Sequence, residues 1–126
     1  MSGKTILYVE DNELNRKIVR DLLKRTTYVL SEAFDCEAGV AKALAEKPGL
    51  ILMDIQLPKI SGMDAMRQIR ADPAMAATPI IAITSFALSG DDRKAKAAGA
   101  TDYLAKPYSP LDLLGLIRKL LPEGDK

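Results

Sequence analysis

Leu50 Ile51 Leu52 Met53 Asp54 is the stretch that decides the fold, an apolar run of strand length that ends in a single carboxylate. Pro48 and Gly49 precede it, and Pro58 and Gly62 punctuate the segment that follows, so neither neighbour extends the run as a helix. A run that is apolar on both faces is the signature of a central parallel strand. Ligands of open α/β sheets gather beyond the carboxyl ends of such strands, which puts Asp54 where chemistry is done.

Working outward, Thr5 Ile6 Leu7 Tyr8 Val9 predicts a second buried strand, and it too ends in acid, at Glu10 and Asp11, before Asn12 opens a helix. In that helix Leu14, Ile18 and Leu22 recur at four-residue steps beside Val19 and Leu23, which predicts a core-facing stripe. Arg16, Arg20 and Lys24 form a second, basic stripe that predicts a solvated face. The shorter, more polar Tyr28 to Ala33 suits an edge strand. A second helix is expected from about Cys36 to Lys47, with Val40, Ala41, Leu44 and Ala45 on its inner side, and Pro48 with Gly49 ends it.

Past the decisive stretch, a third helix from about Met63 to Arg70 buries Met66 and Ile69, and Asp72 Pro73 marks a turn. Ile80 Ile81 Ala82 Ile83 predicts a fourth buried strand, which hands over to the hydroxyls of Thr84 and Ser85. The helix from roughly Ser89 to Ala98 is rich in alanine and can bury little apolar area, so it is expected to be the most loosely attached. Thr101 to Ala105 predicts a short fifth strand ending at Lys106 and Pro107, and a last helix runs from about Pro110 to Leu121. The leucines of that helix span about half its circumference, which fits either deep packing or an exposed apolar edge. Five alternations of strand and helix predict a doubly wound parallel sheet with helices on both faces. Only Glu123 to Lys126 follow the last helix, so a single domain over 1–126 without an output domain is expected.

Composition narrows the chemistry. With 48% hydrophobic and 28% charged residues and a formal charge of +1, the chain has globular proportions and lacks the basic excess of a nucleic-acid binder. Its one cysteine, Cys36, excludes an internal disulfide and reads as structural or incidental. No apolar run is long enough for a signal peptide or a membrane span, which predicts a cytoplasmic protein without membrane contact. The chain has 0 histidines, which excludes histidine triads, histidine-ligated zinc and a phosphohistidine carrier.

Glu10, Asp11, Asp54, Thr84 and Lys106 all stand at strand carboxyl ends and are expected to share one crevice. Gathered carboxylates repel one another, and a hard cation relieves that repulsion. Oxygen donors of this kind suit magnesium, which keeps several waters and bridges protein carboxylate to phosphate, with manganese as a substitute. A carboxylate is an established nucleophile through aspartyl phosphate, so Asp54 can accept a phosphoryl group while Lys106 and the metal stabilise its oxygens and Thr84 donates a hydroxyl.

Together with Val9 Glu10 Asp11 Asn12, Leu52 Met53 Asp54, the Pro58 to Gly62 loop, Ile83 Thr84 and Lys106 Pro107, this constellation resembles the receiver domain of two-component response regulators. The resemblance covers almost the whole chain, and through Glu10 to Asn15 and Asp54 to Pro58 it is nearest the single-domain, DivK-like regulators of cell division. It implies a flavodoxin-like (βα)5 fold with strand order 2-1-3-4-5. It implies that Asp54 is the phosphoacceptor, that Asp11 and the Gln56 backbone carbonyl bind magnesium with Glu10 acting largely through water, and that Thr84 and Lys106 contact the phosphoryl group. Tyr103 matches the family's aromatic switch, and the Lys106–Pro107 bond matches its cis peptide.

The partners so implied are a sensor histidine kinase or phosphotransfer protein and a downstream protein bound through the fourth helix, fifth strand and fifth helix, the chain itself being a monomer or weak dimer. Three rivals are weighed beside this reading. An aspartate-nucleophile phosphatase wants a second acid two residues after Asp54, where Gln56 stands. A flavodoxin-like cofactor carrier wants a phosphate loop where Glu10 and Asp11 would repel phosphate. A phosphorylation-independent interaction module has no need of the complete residue set.

Overall fold

The computed structural model describes residues 4–54, 62–84, 91–105 and 108–122. Strands β1 (Thr5–Val9), β2 (Val29–Ala33), β3 (Leu50–Asp54), β4 (Ile80–Thr84) and β5 (Asp102–Ala105) form one parallel sheet in the order β2-β1-β3-β4-β5. Helices α1 (Glu13–Leu23), α2 (Cys36–Glu46), α3 (Gly62–Arg70), α4 (Asp91–Ala98) and α5 (Pro110–Leu120) follow the strands in turn. This is the doubly wound arrangement that the alternating pattern predicts. Every residue of β3 and β4 is buried, while β2 and β5 at the edges are mostly half-exposed, which is why their sequences are the more polar ones.

The strand period of two divides the core into halves. Leu7, Val9, Ile51, Met53, Ile80 and Ala82 face α2, α3 and α4, where Ala43, Ala65, Met66, Ile69, Ala95 and Ala98 cover them. Ile6, Tyr8, Leu50, Leu52, Ile81 and Ile83 face α1 and α5, under Val19, Leu23, Leu113, Leu114 and Ile117. On the first side small residues set the spacing. A Cβ on Gly39 would stand 2.7 Å from Val9 Cγ2, so glycine lets α2 lie directly on β1.

Helix ends follow local chemistry. Asn12 caps α1 by accepting from Asn15 N at 3.0 Å, Asp35 caps α2 by accepting from Ala38 N at 2.8 Å, and Ser109 caps α5 by accepting from Leu111 N at 3.2 Å. Lys47 closes α2 in the left-handed region at φ 49°, and Pro48 prevents continuation.

Two expectations need correction, and one alternative left open is resolved. The buried stripe of α1 is Arg16, Val19 and Leu23, whereas Leu14 and Ile18 are exposed. The helix is turned so that a cation, rather than a leucine, meets the acidic end of β1. In α2 the buried side is Cys36, Gly39, Val40 and Ala43, with Leu44 half-buried and Ala41 and Ala45 exposed, because close approach to Val9 selects the glycine face. The α5 leucines resolve in favour of deep packing: Leu113 and Leu114 are buried, Leu116, Leu120 and Leu121 lean on the same core, and Leu111 alone of the set is exposed. The turn at Asp72 Pro73 is a short 3-10 helix, Pro73–Met75, whose Met75 is buried.

Candidate functional site

Parallel register brings the predicted residues to one edge. Val9 pairs with Met53, so Glu10, one step on, is level with Asp54. Asp54 pairs with Ile83, and Thr84, the next residue, pairs with Ala105. The carboxyl ends of β1, β3 and β4 therefore present acid, acid and hydroxyl in sequence across three neighbouring strands. Glu10, Asp54 and Thr84 are buried, whereas Asp11 is exposed. Gln56, Lys106, Pro107 and the Pro58–Ser61 part of the loop lie outside the described residues. Tyr103 is half-buried in β5, opposite Ala82, and packs on the core half beneath α2, α3 and α4.

Glu10 is held from several directions. Its backbone N–H donates to Ala33 O at 3.0 Å, continuing the β1–β2 ladder past the end of β1. Its carboxylate accepts from the Tyr8 hydroxyl at 3.2 Å through Oε1 and from Asn12 N at 3.2 Å through Oε2. Its carbonyl accepts from Arg16 Nη1 at 2.9 Å. Residues two apart on a strand share a face, which is how Tyr8 reaches the acid that follows it.

Arg16, which its place in a basic stripe predicts to be solvated, is buried beside Glu10. Besides the Glu10 carbonyl it meets Glu13 Oε1 at 2.6 Å, and its guanidinium lies 4.1 Å over the Phe34 ring. Its Nε stands 3.2 Å from Glu32 Oε1 without hydrogen-bond geometry, so that link is a charge contact. Arg20 completes the network with two hydrogen bonds to Glu32, at 2.8 and 3.0 Å, which hold the Glu32 carboxyl below its ordinary range. The sequence signal was present in the i, i+3 spacing of Glu13 and Arg16. What it lacked was the choice between two overlapping helical stripes.

The opposite side of the crevice is apolar and acidic. Cys36, at the start of α2, is buried, and burial together with the nearby charges of Asp54, Asp35 and Asp64 pushes its thiol up to about 11. A thiol so protonated is no nucleophile at neutral pH. Tyr8 is likewise held far above the usual phenol range, first by burial and then by Tyr108 and Glu10.

Among the described residues no three carboxylates or thiols stand together as a ready metal cage. Magnesium does not ask for one, since it keeps several waters and takes one or two carboxylates. The strand ends offer hard oxygen donors of that kind in an exposed Asp11 and a buried Asp54. No helix among the described residues is long and apolar enough to cross a membrane.

Comparison with known proteins agrees with this arrangement. The response regulator receiver domain family matches residues 6–118. The polar-differentiation response regulator DivK of Brucella anthropi is 36% identical over 121 residues, covering 96% of this chain and 98% of that protein. Among solved structures, the receiver domain of a Pseudomonas aeruginosa sensor histidine kinase, which has a magnesium ion coordinated in its active-site cleft, superposes with a TM-score of 0.86 at 36% identity, covering 94% of this chain and 98% of that one. The chemotaxis response regulator CheY4 of Vibrio cholerae gives 0.88 at 28% identity, covering 94% and 98%.

Proposed function

Because the chain belongs to the response regulator receiver domain family, we propose that it is a magnesium-dependent phosphorylation switch in which Asp54 accepts a phosphoryl group from a histidine kinase or phosphotransfer protein. The observation that supports this reading is the gathering of Glu10, level with Asp54, and of Thr84, one residue past that level, at three adjacent strand ends. A carboxylate recessed between an acid and a hydroxyl is positioned to be phosphorylated rather than merely to cap a turn.

One oxygen of Asp54 attacks phosphorus, the bond from phosphorus to the donor nitrogen or acyl oxygen breaks, and the donor leaves with that electron pair. The product is a mixed anhydride on β3. Asp11, Asp54 and the Gln56 carbonyl would hold the cation, with Glu10 acting through water. When bound, magnesium would supply neutralisation of the charge on the transferring group. Thr84 and Lys106 take the remaining phosphoryl oxygens, and Tyr103 responds to the movement of Thr84.

The switched surface in this reading is α4, β5 and α5. Helix α4 supports that role because, among its described side chains, only Ala95 and Ala98 are buried, so little packing opposes a shift. Likeness to the Brucella polar-differentiation regulators favours a task in cell polarity or division control.

The test is intact-protein mass after incubation with a small acyl-phosphate donor, with and without magnesium. One added phosphoryl group that requires magnesium and is absent in Asp54→Asn is the expected result. No adduct with intact donor would instead favour a phosphorylation-independent interaction module. Donor consumption without an adduct would favour phosphatase chemistry.

A further inference from the structure

Arg16 is the only cation buried among the described residues, at 7% exposure, and the phosphorylation reading gives it no task. It grips the main chain of the acidic corner. Its Nη1 donates to Glu10 O at 2.9 Å, and its backbone N–H donates to Asn12 O at 3.1 Å. The Glu10 carbonyl belongs to the peptide unit that joins Glu10 to Asp11. That unit is planar, so fixing its oxygen fixes the direction in which the chain enters Asp11.

Asp11 depends on such a hold. Its side chain is exposed and makes no hydrogen bond or ion pair among the described residues, so the main chain is what places its carboxylate. Glu10, by contrast, has carboxylate bonds of its own to Tyr8 and Asn12. We propose that Arg16 is a positioning residue for the metal site, its guanidinium holding the Glu10–Asp11 peptide so that the Asp11 carboxylate is presented to the metal ion in one arrangement. The role rests on the phosphorylation reading, which supplies the metal ion.

The physical case rests on cost and fit. Taking a guanidinium out of water is expensive, and apolar residues of similar volume commonly serve stability as well as a buried ion pair does. A demand on geometry accounts for Arg16 better. Its Nη2 meets Glu13 Oε1 at 2.6 Å, its Nε stands 3.2 Å from Glu32 Oε1, and the Phe34 ring covers one face of the guanidinium at 4.1 Å. Glu32 is fastened in turn by Arg20. A planar group gripped along its edges and on a face has one orientation, which the point charge of a lysine would not reproduce. Charge alone acts in the opposite direction, because a guanidinium near the site repels a metal ion. Partners that orient a metal-site ligand influence metal affinity without touching the metal.

The test uses Arg16→Met, with Lys17→Met as a control that removes a charge from the exposed side of α1, and manganese as the probe. Affinity is read from the electron paramagnetic resonance signal of free manganese, at a temperature at which melting in EDTA shows each variant to be folded. Arg16→Met is expected to bind manganese about tenfold more weakly, and Lys17→Met to stay within about twofold of wild type. Phe34→Ala removes the ring from an exposed position and should weaken binding by about two- to fivefold at unchanged melting.

Manganese affinity of Arg16→Met within about twofold of wild type would overturn the proposal, and so would tighter binding, the result that charge removal alone predicts. An equal loss in Lys17→Met would overturn it as well. If Arg16→Met does not fold, Phe34→Ala decides: weakened binding at unchanged melting supports the positioning role, and unchanged binding refutes it. Wild type that binds no manganese contradicts both this role and the phosphorylation reading. Wild type that takes manganese but no phosphoryl group, with binding weakened in Arg16→Met, contradicts the phosphorylation reading alone. Wild type that is phosphorylated while Arg16→Met binds manganese equally well contradicts the positioning role alone.

Discussion

The two corners that flank Asp54 are built differently. At the β1–α1 corner Glu10 is held through its N–H, its carbonyl and both carboxylate oxygens, Arg16 pairs with Glu13 within α1, and Arg20 ties α1 to Glu32 on β2. Past β4 the described part of α4 rests on two alanines, and its C-terminal end is secured by Arg70, whose Nε donates to Gly99 O at 2.9 Å and whose Nη1 donates to Met75 O at 2.7 Å. One corner is fastened by charge and hydrogen bonds at the site itself. The other is pinned at its far end. The proposed switch needs this inequality, since the part proposed to hold a cation must keep its shape while the part proposed to report phosphorylation moves.

The largest expected effect comes from breaking the fastened corner. Arg16→Met leaves the Glu10 carbonyl and two glutamates without their buried cation and should lower stability by about 2–3 kcal/mol. For a chain of this size that is roughly 6–12 °C in melting temperature. Lys96→Met on the exposed face of α4 should change stability by less than about 0.5 kcal/mol. Equal losses in the two variants would remove the contrast.

A smaller effect is expected at the far pin. Gly99 has φ +123°, and a Cβ there would lie 2.7 Å from Arg70 Cγ, so Gly99→Ala combines backbone strain with displacement of the Arg70 clamp. The expected cost is about 1–2 kcal/mol, with faster amide exchange in α4 and unchanged exchange in α1.

The smallest effect is on acid stability. Arg20 holds the folded-state pKa of Glu32 below its unfolded value. The resulting stabilisation is fully present above the ordinary carboxylate range and drains away as pH falls through the lowered native value. Wild type should therefore lose more stability than Glu32→Gln between pH 6 and about pH 3, with the two running parallel from pH 6 to about pH 8. Denaturant melts across that range measure it, and parallel curves throughout would mean that the pair contributes nothing.

Much of this was legible in the chain. Apolar runs closed by an acid or a hydroxyl at Asp54, Glu10 and Thr84 predict both the parallel sheet and the edge where its residues gather, because strand burial on two faces leaves a simple pattern. Helix rotation was harder to see. Leu14–Ile18–Leu22 and Arg16–Val19–Leu23 are both regular stripes, and hydrophobicity favours the former. The structure adopts the latter because the acidic strand end attracts a guanidinium, a long-range electrostatic demand that periodicity within one helix does not record. Tyr8 was hidden for a related reason: within a buried strand a tyrosine reads as an apolar residue, and the acceptor of its hydroxyl, Glu10, lies past the end of the apolar run.

The contrast between the corners is tested most directly by hydrogen exchange of the phosphorylated protein against the unphosphorylated protein, both in magnesium. A change in protection spanning α4 and β5, with Glu13–Leu23 unaltered, is the predicted result. A change in α1 as large as that in α4 would contradict the account, because the corner assigned to hold the cation would then be moving with the one assigned to report it.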